Sequence, residues 1–265
     1  MGLLGDIRPT VRKRIGRVAS YLLFAVVVLV LALIGNWKDI ARNFFRWDVA
    51  RQLWPDILRA AGNTLWYTAF SFVVGLVFAV IFALLKMGSG PFKWFAIGFI
   101  ELFRGMPALL TILIMAFAIP IAFKVSFPGG STGGGLVALI LVTAAYGAEI
   151  VRAGIEAVPK GQWEAAKSLG MPYLRTVVSV ILPQAIRIVI PPLTNELVTL
   201  LKDTSLLYIA GMTLAAQELT TFGKFGATMR GNSTPYFVVA GVYLIITIPL
   251  TYLVGRLEKS MAVKK

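Results

Sequence analysis

Six long apolar segments run through this sequence, and they constrain its fold more than any other feature. They cover residues 18–37, 63–86, a stretch within 92–123, 135–158, 175–201 and 235–257. A helix needs about 20 predominantly apolar residues to cross the hydrocarbon core of a membrane. None of the segments alternates apolar and polar residues as the strands of a membrane β-barrel do. The sequence therefore predicts an all-α membrane protein with about six transmembrane helices.

Composition and charge agree with a membrane location. Hydrophobic residues make up 58% of the chain, above the roughly 45–50% of a soluble domain. The formal net charge of +14 would suggest nucleic-acid binding on a soluble domain, but here the basic residues flank the apolar segments. With a cytoplasmic N-terminus and six crossings, 15 Lys and Arg residues fall on the cytoplasmic side and 9 on the external side. Both termini are therefore predicted to be cytoplasmic.

The N-terminal part of the chain contains two features that allow more than one interpretation. Segment 18–37 follows a basic stretch, as the apolar region of a signal peptide does, but no A-x-A cleavage pattern comes after it, which favours a retained helix. Residues 36–61 combine aromatic side chains with the charged pairs Asp48/Arg51 and Asp56/Arg59. These residues predict one or two amphipathic helices that lie on the membrane surface.

Two absent residue types exclude several kinds of site. The chain has no cysteine and no histidine, so it offers no disulfide, thiolate nucleophile, His-based metal site or Ser-His-Asp triad. Gly223-Lys224 is followed by Phe225 rather than by Ser or Thr, so this stretch is not a nucleotide-binding Walker A motif. The sequence predicts no catalytic residue, no metal site and no bound cofactor, and it predicts a chain that is not an enzyme by itself.

A short segment, residues 156–172, carries the most specific pattern in the chain. Pro159 and Pro172 mark its ends, and the good helix formers between them are followed by Gly170, a typical helix stop. One face of the predicted helix carries three apolar residues at a spacing of three, which are Trp163, Ala166 and Leu169. Such a face is typical of a helix that docks into a groove on a partner protein. An ordinary surface helix, or a helix that lies on lipid, has the same spacing.

The same segment resembles the EAA motif of ABC-importer permeases, which reads E-A-A, three residues, G, nine residues, I, one residue, L-P. Its counterparts here are Glu164-Ala165-Ala166, Gly170, Val180 in place of the usual Ile, and Leu182-Pro183. Further stretches resemble the polar amino-acid uptake branch of that family. They are Asn63-Thr64, Phe103-Arg104-Gly105-Met106-Pro107 with Met106 in place of the usual Thr, residues 148–155, residues 182–185 and residues 201–206. The resemblance covers roughly residues 60–257.

The resemblance implies the permease subunit of a type I importer in a bacterial plasma membrane, with a core of five transmembrane helices plus one N-terminal helix. Two permeases, identical or related, would each form half of the translocation path. Two cytoplasmic ABC ATPase subunits would use ATP and Mg²⁺, and an extracytoplasmic binding protein would deliver a polar amino acid, with glutamate or glutamine as candidates. The residues implied to couple the permease to its ATPase are Trp163, Glu164, Ala165, Ala166, Leu169 and Gly170.

The predicted organisation has three parts. Residues 1–61 hold the cytoplasmic N-terminus, the extra transmembrane helix and the amphipathic interfacial segment. Residues 62–257 form the permease transmembrane domain, in which residues 156–172 are the coupling loop. Residues 258–265 form a cytoplasmic tail. The first part lies outside the resemblance, because many relatives have five spans without it.

Ionisable residues within apolar segments need a physical reason, since each costs roughly 2.5–3.5 kcal/mol on insertion scales. Glu101 and Arg104 are spaced three apart, and Glu149 and Arg152 repeat that spacing. Residues three apart lie on one face of a helix and can interact. The spacing therefore predicts two ion pairs, each along one helix, with a structural or gating role.

Six polar residues are candidates for the substrate path, and they are Lys202, Asp203, Thr204, Ser205, Glu196 and Asn63. The first four are consecutive and follow an apolar segment that its prolines are predicted to break. A broken helix can bring such side chains together, as transporter sites do. Lys202 would then bind the carboxylate of an amino-acid zwitterion, and Asp203 or Glu196 its ammonium group. The alternative is an ion pair between Lys202 and Asp203 without any ligand.

Two other classes of function remain to be compared with an importer. An intramembrane enzyme could use Ser205 and Lys202 as a dyad, but that reading leaves residues 156–172 without a role. A secondary transporter commonly contains internal repeats, and the sequence contains none that we find. An ATPase that copurifies with the chain would separate the importer from both alternatives.

Overall fold

The computed structural model describes residues 9–261, with side chains from residue 16 onward, and this part of the chain contains helices and no strands. In chain order the helices are α1 (Pro9–Ile34), α2 (Trp37–Phe44), α3 (Trp47–Gln52), α4 (Asp56–Met87), α5 (Pro91–Gly105), α6 (Ala108–Leu113), α7 (Ile119–Phe123), α8 (Gly130–Glu156), α9 (Lys160–Ser168), α10 (Tyr173–Thr176), α11 (Leu182–Asp203), α12 (Leu219–Arg230) and α13 (Thr234–Met261). Two π-helical turns, Ile114–Ala118 and Val177–Ile181, and one 3₁₀ segment, Thr204–Ala210, connect some of them.

Five helical stretches in the described residues are long and apolar enough to cross a membrane, and they are Gly16–Ile34, Asp56–Met87, Gly130–Glu156, Tyr173–Ala210 and Thr234–Met261. A further pair, Pro91–Gly105 and Ala108–Phe123, passes the same test together but is bent by 108°. The bend follows from Pro107, which lacks an N–H and disfavours helical geometry at the residue before it. The prediction of an all-α membrane protein with about six spans is confirmed.

The chain divides into two compact units, one up to Trp47 and the other from Asp48 onward. In the first unit none of the most apolar residues of α1 is buried, as suits a helix whose surroundings are lipid. Helix α2 is capped by Asn36, whose side-chain oxygen accepts a hydrogen bond from the backbone N–H of Asp39 at 3.3 Å. Two short helices, α2 and α3, follow the first span, whereas residues 56–61 belong to α4. That α2 and α3 lie on the membrane surface stays a prediction.

Helix α8 lies at the centre of the second unit and packs against α4, α5 and α11. Small residues allow this packing, because they let helix backbones approach closely within a membrane. A Cβ atom added at Gly75 would lie 2.8 Å from Thr143, and one added at Gly147 would lie 2.8 Å from the Cβ of Ala79. Small residues on both helices, Gly75 and Ala79 of α4 and Gly147 of α8, therefore allow the short distance between α8 and α4.

The sequence predicts that prolines break the helix of the fifth apolar segment, but the helix is not broken at Pro191 and Pro192. Helix α11 continues through Pro191 and Pro192, and the irregular turns lie on either side of it, at Val177–Ile181 and at Thr204–Ala210. The two prolines remove two helical N–H donors, which leaves the carbonyls of Arg187 and Ile188 unbonded within the helix. Membrane helices tolerate a local loss of this kind, because neighbouring groups can bond the freed carbonyls.

The loop between the 3₁₀ segment and α12 is hydrogen-bonded to α4. It ends at Glu218, a buried carboxylate that caps α12. Glu218 is fully buried and accepts hydrogen bonds from the backbone N–H groups of Thr220 and Thr221 at 2.5 and 2.6 Å, so it caps α12. The hydroxyl of Tyr243 on α13 also donates to Glu218, at 3.2 Å. Burial raises the pKa of the Glu218 carboxyl above its ordinary value.

Candidate functional site

Helix α9 coincides with the short helix predicted in residues 156–172, and it stops as the sequence predicts. Gly170 adopts a left-handed backbone with φ of 71°, which glycine accepts at little energetic cost. The backbone N–H of Gly170 bonds the carbonyl of Lys167 at 3.0 Å, and that of Met171 bonds the carbonyl of Ala166 at 3.1 Å. These bonds close the C-terminus of α9 and fix its direction.

The apolar residues of α9 do not all face outward, and this corrects the expectation that their common face is left for a partner. Ala166 is buried, and Trp163 packs against the cluster of Val158, Ile181 and Ala185. Leu169, by contrast, is 80% exposed. Two of the three residues of the predicted face therefore anchor α9 to its own chain. The coupling candidates on the exposed surface are Glu164, Ala165, Leu169 and Gly170.

Helix α9 is also tied to the start of α11. The side-chain amide of Gln184 donates to the side-chain oxygen of Gln162 at 3.2 Å, and the rings of Trp163 and Tyr173 stack with their centroids 6.0 Å apart. These contacts join the loop helix to α10 and to the first turn of α11. Helix α9 is therefore held by packing and hydrogen bonds rather than suspended on a free loop.

Six charged residues from α4, α5 and α8 form a cluster that we call the charge cluster, namely Lys86, Glu101, Arg104, Glu149, Arg152 and Glu156. Glu149 is at its centre: its carboxylate lies 2.5 Å from Lys86 Nζ, 2.9 Å from Arg152 Nη2 and 3.9 Å from Arg104 Nη1. Three cations face three anions, so the cluster is balanced in formal charge.

One of the two predicted ion pairs exists and the other does not. Glu149 and Arg152 pair along α8 as their spacing predicts. The predicted pair of Glu101 with Arg104 is wrong, since Glu101 lies 4.0 Å from Lys86 and Arg104 lies 3.9 Å from Glu149. Packing of α5 against α4 and α8 offers both residues partners on other helices. Lys86, at the end of the second apolar segment, belongs to the centre of the cluster.

The candidates for the substrate path do not converge on one point. Lys202 is exposed and lines a cavity of about 620 Å³ between α11 and α13, which Thr247, Thr251, Arg256 and Lys259 also line. Thr204 is fully buried and donates its hydroxyl hydrogen to the carbonyl of Leu201 at 2.6 Å. Asp203, Ser205 and Glu196 are half-buried and do not line this cavity. Within the described residues, no N···O distance between Lys202 and Asp203 is 4.0 Å or less, and their pairing without a ligand stays an alternative prediction.

Lys202 belongs to a polar stripe on α11 that sequence reasoning missed. Asn195, Thr199 and Lys202 are all exposed and are spaced four and three residues apart, so they share one face. The side-chain amide of Asn195 donates to Glu258 of α13 at 3.0 Å. Polar residues at helical spacing within an apolar segment are the signal that could have identified this face. Lipid is a poor environment for it, so the stripe is expected to face water or protein.

Asn63 lies elsewhere and has a different set of contacts. Its side-chain amide donates to the backbone carbonyls of Ala215 and Gln217 at 3.0 and 2.9 Å. The next residue, Thr64, accepts a hydrogen bond from the backbone N–H of Leu219 at 3.1 Å. Asn63 therefore holds the loop before α12 against α4, and it does not line the cavity that contains Lys202.

Comparison with known proteins assigns the chain to a family. The family described as "Binding-protein-dependent transport system inner membrane component" matches residues 71–263. The chain belongs to this family. It is therefore a multi-pass membrane component of an ABC transporter complex. Components of this family are transport channels rather than enzymes.

Three relatives of this inner membrane component illustrate the similarity. The L-cystine transport system permease protein TcyB of Bacillus subtilis (strain 168) is 39% identical, over 81% of this chain and 91% of that protein. The arginine transport system permease protein ArtQ of the same organism is 31% identical, over 78% and 93%. The crystal structure of an amino acid ABC transporter with histidines contains a chain that is 33% identical, with a TM-score of 0.71 over 78% of this chain and 94% of that chain.

Proposed function

We propose that this inner membrane component is the permease subunit of an ATP-driven importer of a polar amino acid and forms half of the translocation path. Family membership gives the transporter class, and the similar permeases TcyB and ArtQ are named for cystine and arginine transport. The observation that carries the coupling role is the geometry of α9. A helix fixed by Trp163 and Ala166 presents the 80% exposed side chain of Leu169 to a partner.

The complex that we propose contains two permeases, identical or related, two cytoplasmic ABC ATPase subunits and an extracytoplasmic binding protein. The ATPases would bind ATP and Mg²⁺, whereas this chain would bind no cofactor or metal. Coupling would use Trp163, Glu164, Ala165, Ala166, Leu169 and Gly170, with the first and fourth as anchors. The excess of basic residues supports a bacterial plasma membrane orientation in which α9 and both termini are cytoplasmic.

The polar stripe on α11 supports a path between two permeases. Asn195, Thr199 and Lys202 are exposed in a membrane-spanning helix, where contact with lipid is unfavourable. A second permease opposite this face would enclose the stripe and leave it in contact with water and substrate. Lys202 would then attract the substrate carboxylate, which every α-amino acid carries. Glutamate and glutamine stay our candidates, and a carboxylate is the shared element that Lys202 would recognise.

The test uses the complex reconstituted in vesicles with its ATPase and binding protein. We expect uptake of an amino acid that depends on ATP, and we expect Leu169→Asp to reduce uptake and substrate-stimulated ATP hydrolysis at least tenfold. A charged side chain would be buried without a partner in the ATPase groove. Ser168→Ala is the matched control, because Ser168 is exposed and bonds only the carbonyl of Glu164 among the described residues. Equal coupling in both variants would remove α9 as the docking element.

A further inference from the structure

A second cavity, of about 250 Å³, lies at the Asp56 end of α4. Its polar lining includes Asp56, Arg59, Asn63 and Gln217, and Leu214 lies on its apolar side. Helix α4 has 32 residues, which at 1.5 Å per residue is about 48 Å, longer than the roughly 30 Å of the hydrocarbon core. Lys86 of the charge cluster lies at the other end of α4. The cavity is thus at the level of water and lipid headgroups, at the end of α4 opposite the charge cluster.

Gln217 gives this cavity an unused hydrogen-bond donor. Its side chain is only 5% exposed, and its amide nitrogen Nε2 has no hydrogen-bond partner among the described residues. Its backbone cannot move away, because the carbonyl of Gln217 accepts a hydrogen bond from Asn63. A buried donor without an acceptor is unfavourable. The last torsion of a glutamine side chain is soft, so Nε2 can turn towards an acceptor that enters the cavity.

The other wall of the cavity presents one anion and one cation. Asp56 and Arg59 form a pair along α4 at 3.9 Å, and their side chains are 64% and 70% exposed. An exposed pair at this distance is weak, since water screens both charges and both side chains remain mobile. A ligand with one positive and one negative group can therefore replace the pair with little loss. The cavity is smaller than the ~300–1,000 Å³ of sites for drug-sized ligands, as suits a single small molecule.

We propose that this cavity is an outer binding site for a free α-amino acid, separate from the cavity that contains Lys202. The substrate carboxylate accepts hydrogen bonds from Arg59 and from Gln217 Nε2, and the substrate ammonium group binds Asp56. The side chain of the amino acid points towards Leu214. This inference rests on the proposed function, since it takes an amino acid as the molecule transported. It adds a position that the substrate occupies before it enters the membrane.

The test is equilibrium binding of radiolabelled amino acids to the permease–ATPase complex without its external binding protein. Arg59→Gln, Asp56→Asn and Gln217→Met are each expected to weaken binding at this site at least tenfold. Arg230→Gln is the matched control, because Arg230 is an exposed arginine that does not line the cavity. A zwitterion should compete, whereas the corresponding amine without a carboxylate and the acid without an amino group should not.

Two further measurements keep the test decisive. If Gln217→Met reduces the yield of folded complex, Gln217→Glu keeps the side-chain shape and should weaken binding by placing a carboxylate against the ligand's own. Lys202→Met should leave binding at the outer site intact, and loss of all binding in that variant would overturn the proposal.

The remaining outcomes separate the site from the function. Unchanged amino-acid binding in the three cavity variants would overturn the outer site. If the cavity variants bind amino acids normally but their ATP hydrolysis is no longer stimulated by the binding protein, the cavity is a protein-docking site. That result would also overturn the outer site. A complete wild-type complex that takes up no amino acid would refute the proposed function itself. Normal uptake with unaltered binding in the variants would refute the outer site alone.

Discussion

Replacement of Glu149 by glutamine tests the charge cluster at its centre. The carboxylate of Glu149 contacts Lys86, Arg152 and Arg104 from three helices, and the side chains of Glu149 and Lys86 are each 17% exposed. Glutamine has nearly the same shape but no charge, so the substitution removes the attraction and leaves the packing in place. Three cations then lie close together with only Glu101 and Glu156 to compensate them.

The magnitude follows from how much compensation remains. Removal of one partner from a buried ion pair costs about 3–5 kcal/mol. Arg152 keeps Glu156 at 2.5 Å and Lys86 keeps Glu101 at 4.0 Å, so we expect the lower end, about 3 kcal/mol. In a domain of this size each kcal/mol lowers the melting temperature by roughly 2–4 °C, which gives a decrease of about 6–12 °C.

The assay is the melting temperature of the purified chain in detergent, followed by the fraction that remains monodisperse after heating. Glu156→Gln is the control, since Glu156 is 54% exposed and pairs with Arg152 alone within the described residues; an exposed pair contributes about 0–1 kcal/mol. Lys86→Met combined with Glu149→Gln should recover part of the loss, because one unpaired cation is removed as well. Equal melting temperatures for Glu149→Gln and Glu156→Gln would refute this account of the cluster.

Two further predictions concern packing and pH. Gly154→Ala should lower the melting temperature by an amount equivalent to about 1–3 kcal/mol, because the new methyl group would lie 2.0 Å from Val189 Cγ2; Gly241→Ala, which meets no atom within 4 Å, should be neutral. Burial raises the pKa of Glu218, so its protonated form stabilises the fold below the unfolded-state pKa of about 4.3. That contribution is lost as pH rises through the raised pKa. The melting temperature of the wild type relative to Glu218→Gln should therefore fall as pH rises, and a rise instead would contradict the raised pKa of Glu218.

The sequence predicts α9 well because its signals are local. Pro159 precedes its first turn, and Gly170 follows it with the positive φ that a helix stop of this kind requires. The partners of Glu101 and Arg104 could not be predicted in this way. Their spacing within one helix is compatible with a pair, but the packing of α4, α5 and α8 decides which charges meet. Asn63 is a similar case, since its bonds reach residues more than 150 positions away.

The contacts of α9 also indicate how a partner could act on the path. Helix α9 begins four residues after the end of α8, and Trp163 and Gln162 connect it to the turn and the first residues of α11. A force on Leu169 is therefore expected to move α11 and not merely to bend a loop. Helix α11 carries Lys202 in its last turn. The π-helical turn Val177–Ile181 lies between α9 and α11 in the chain. A π-helical turn contains an extra residue, and there the helix can change its rotation at modest cost. A small displacement at α9 would thus reorient the polar stripe of α11, which we propose faces the path.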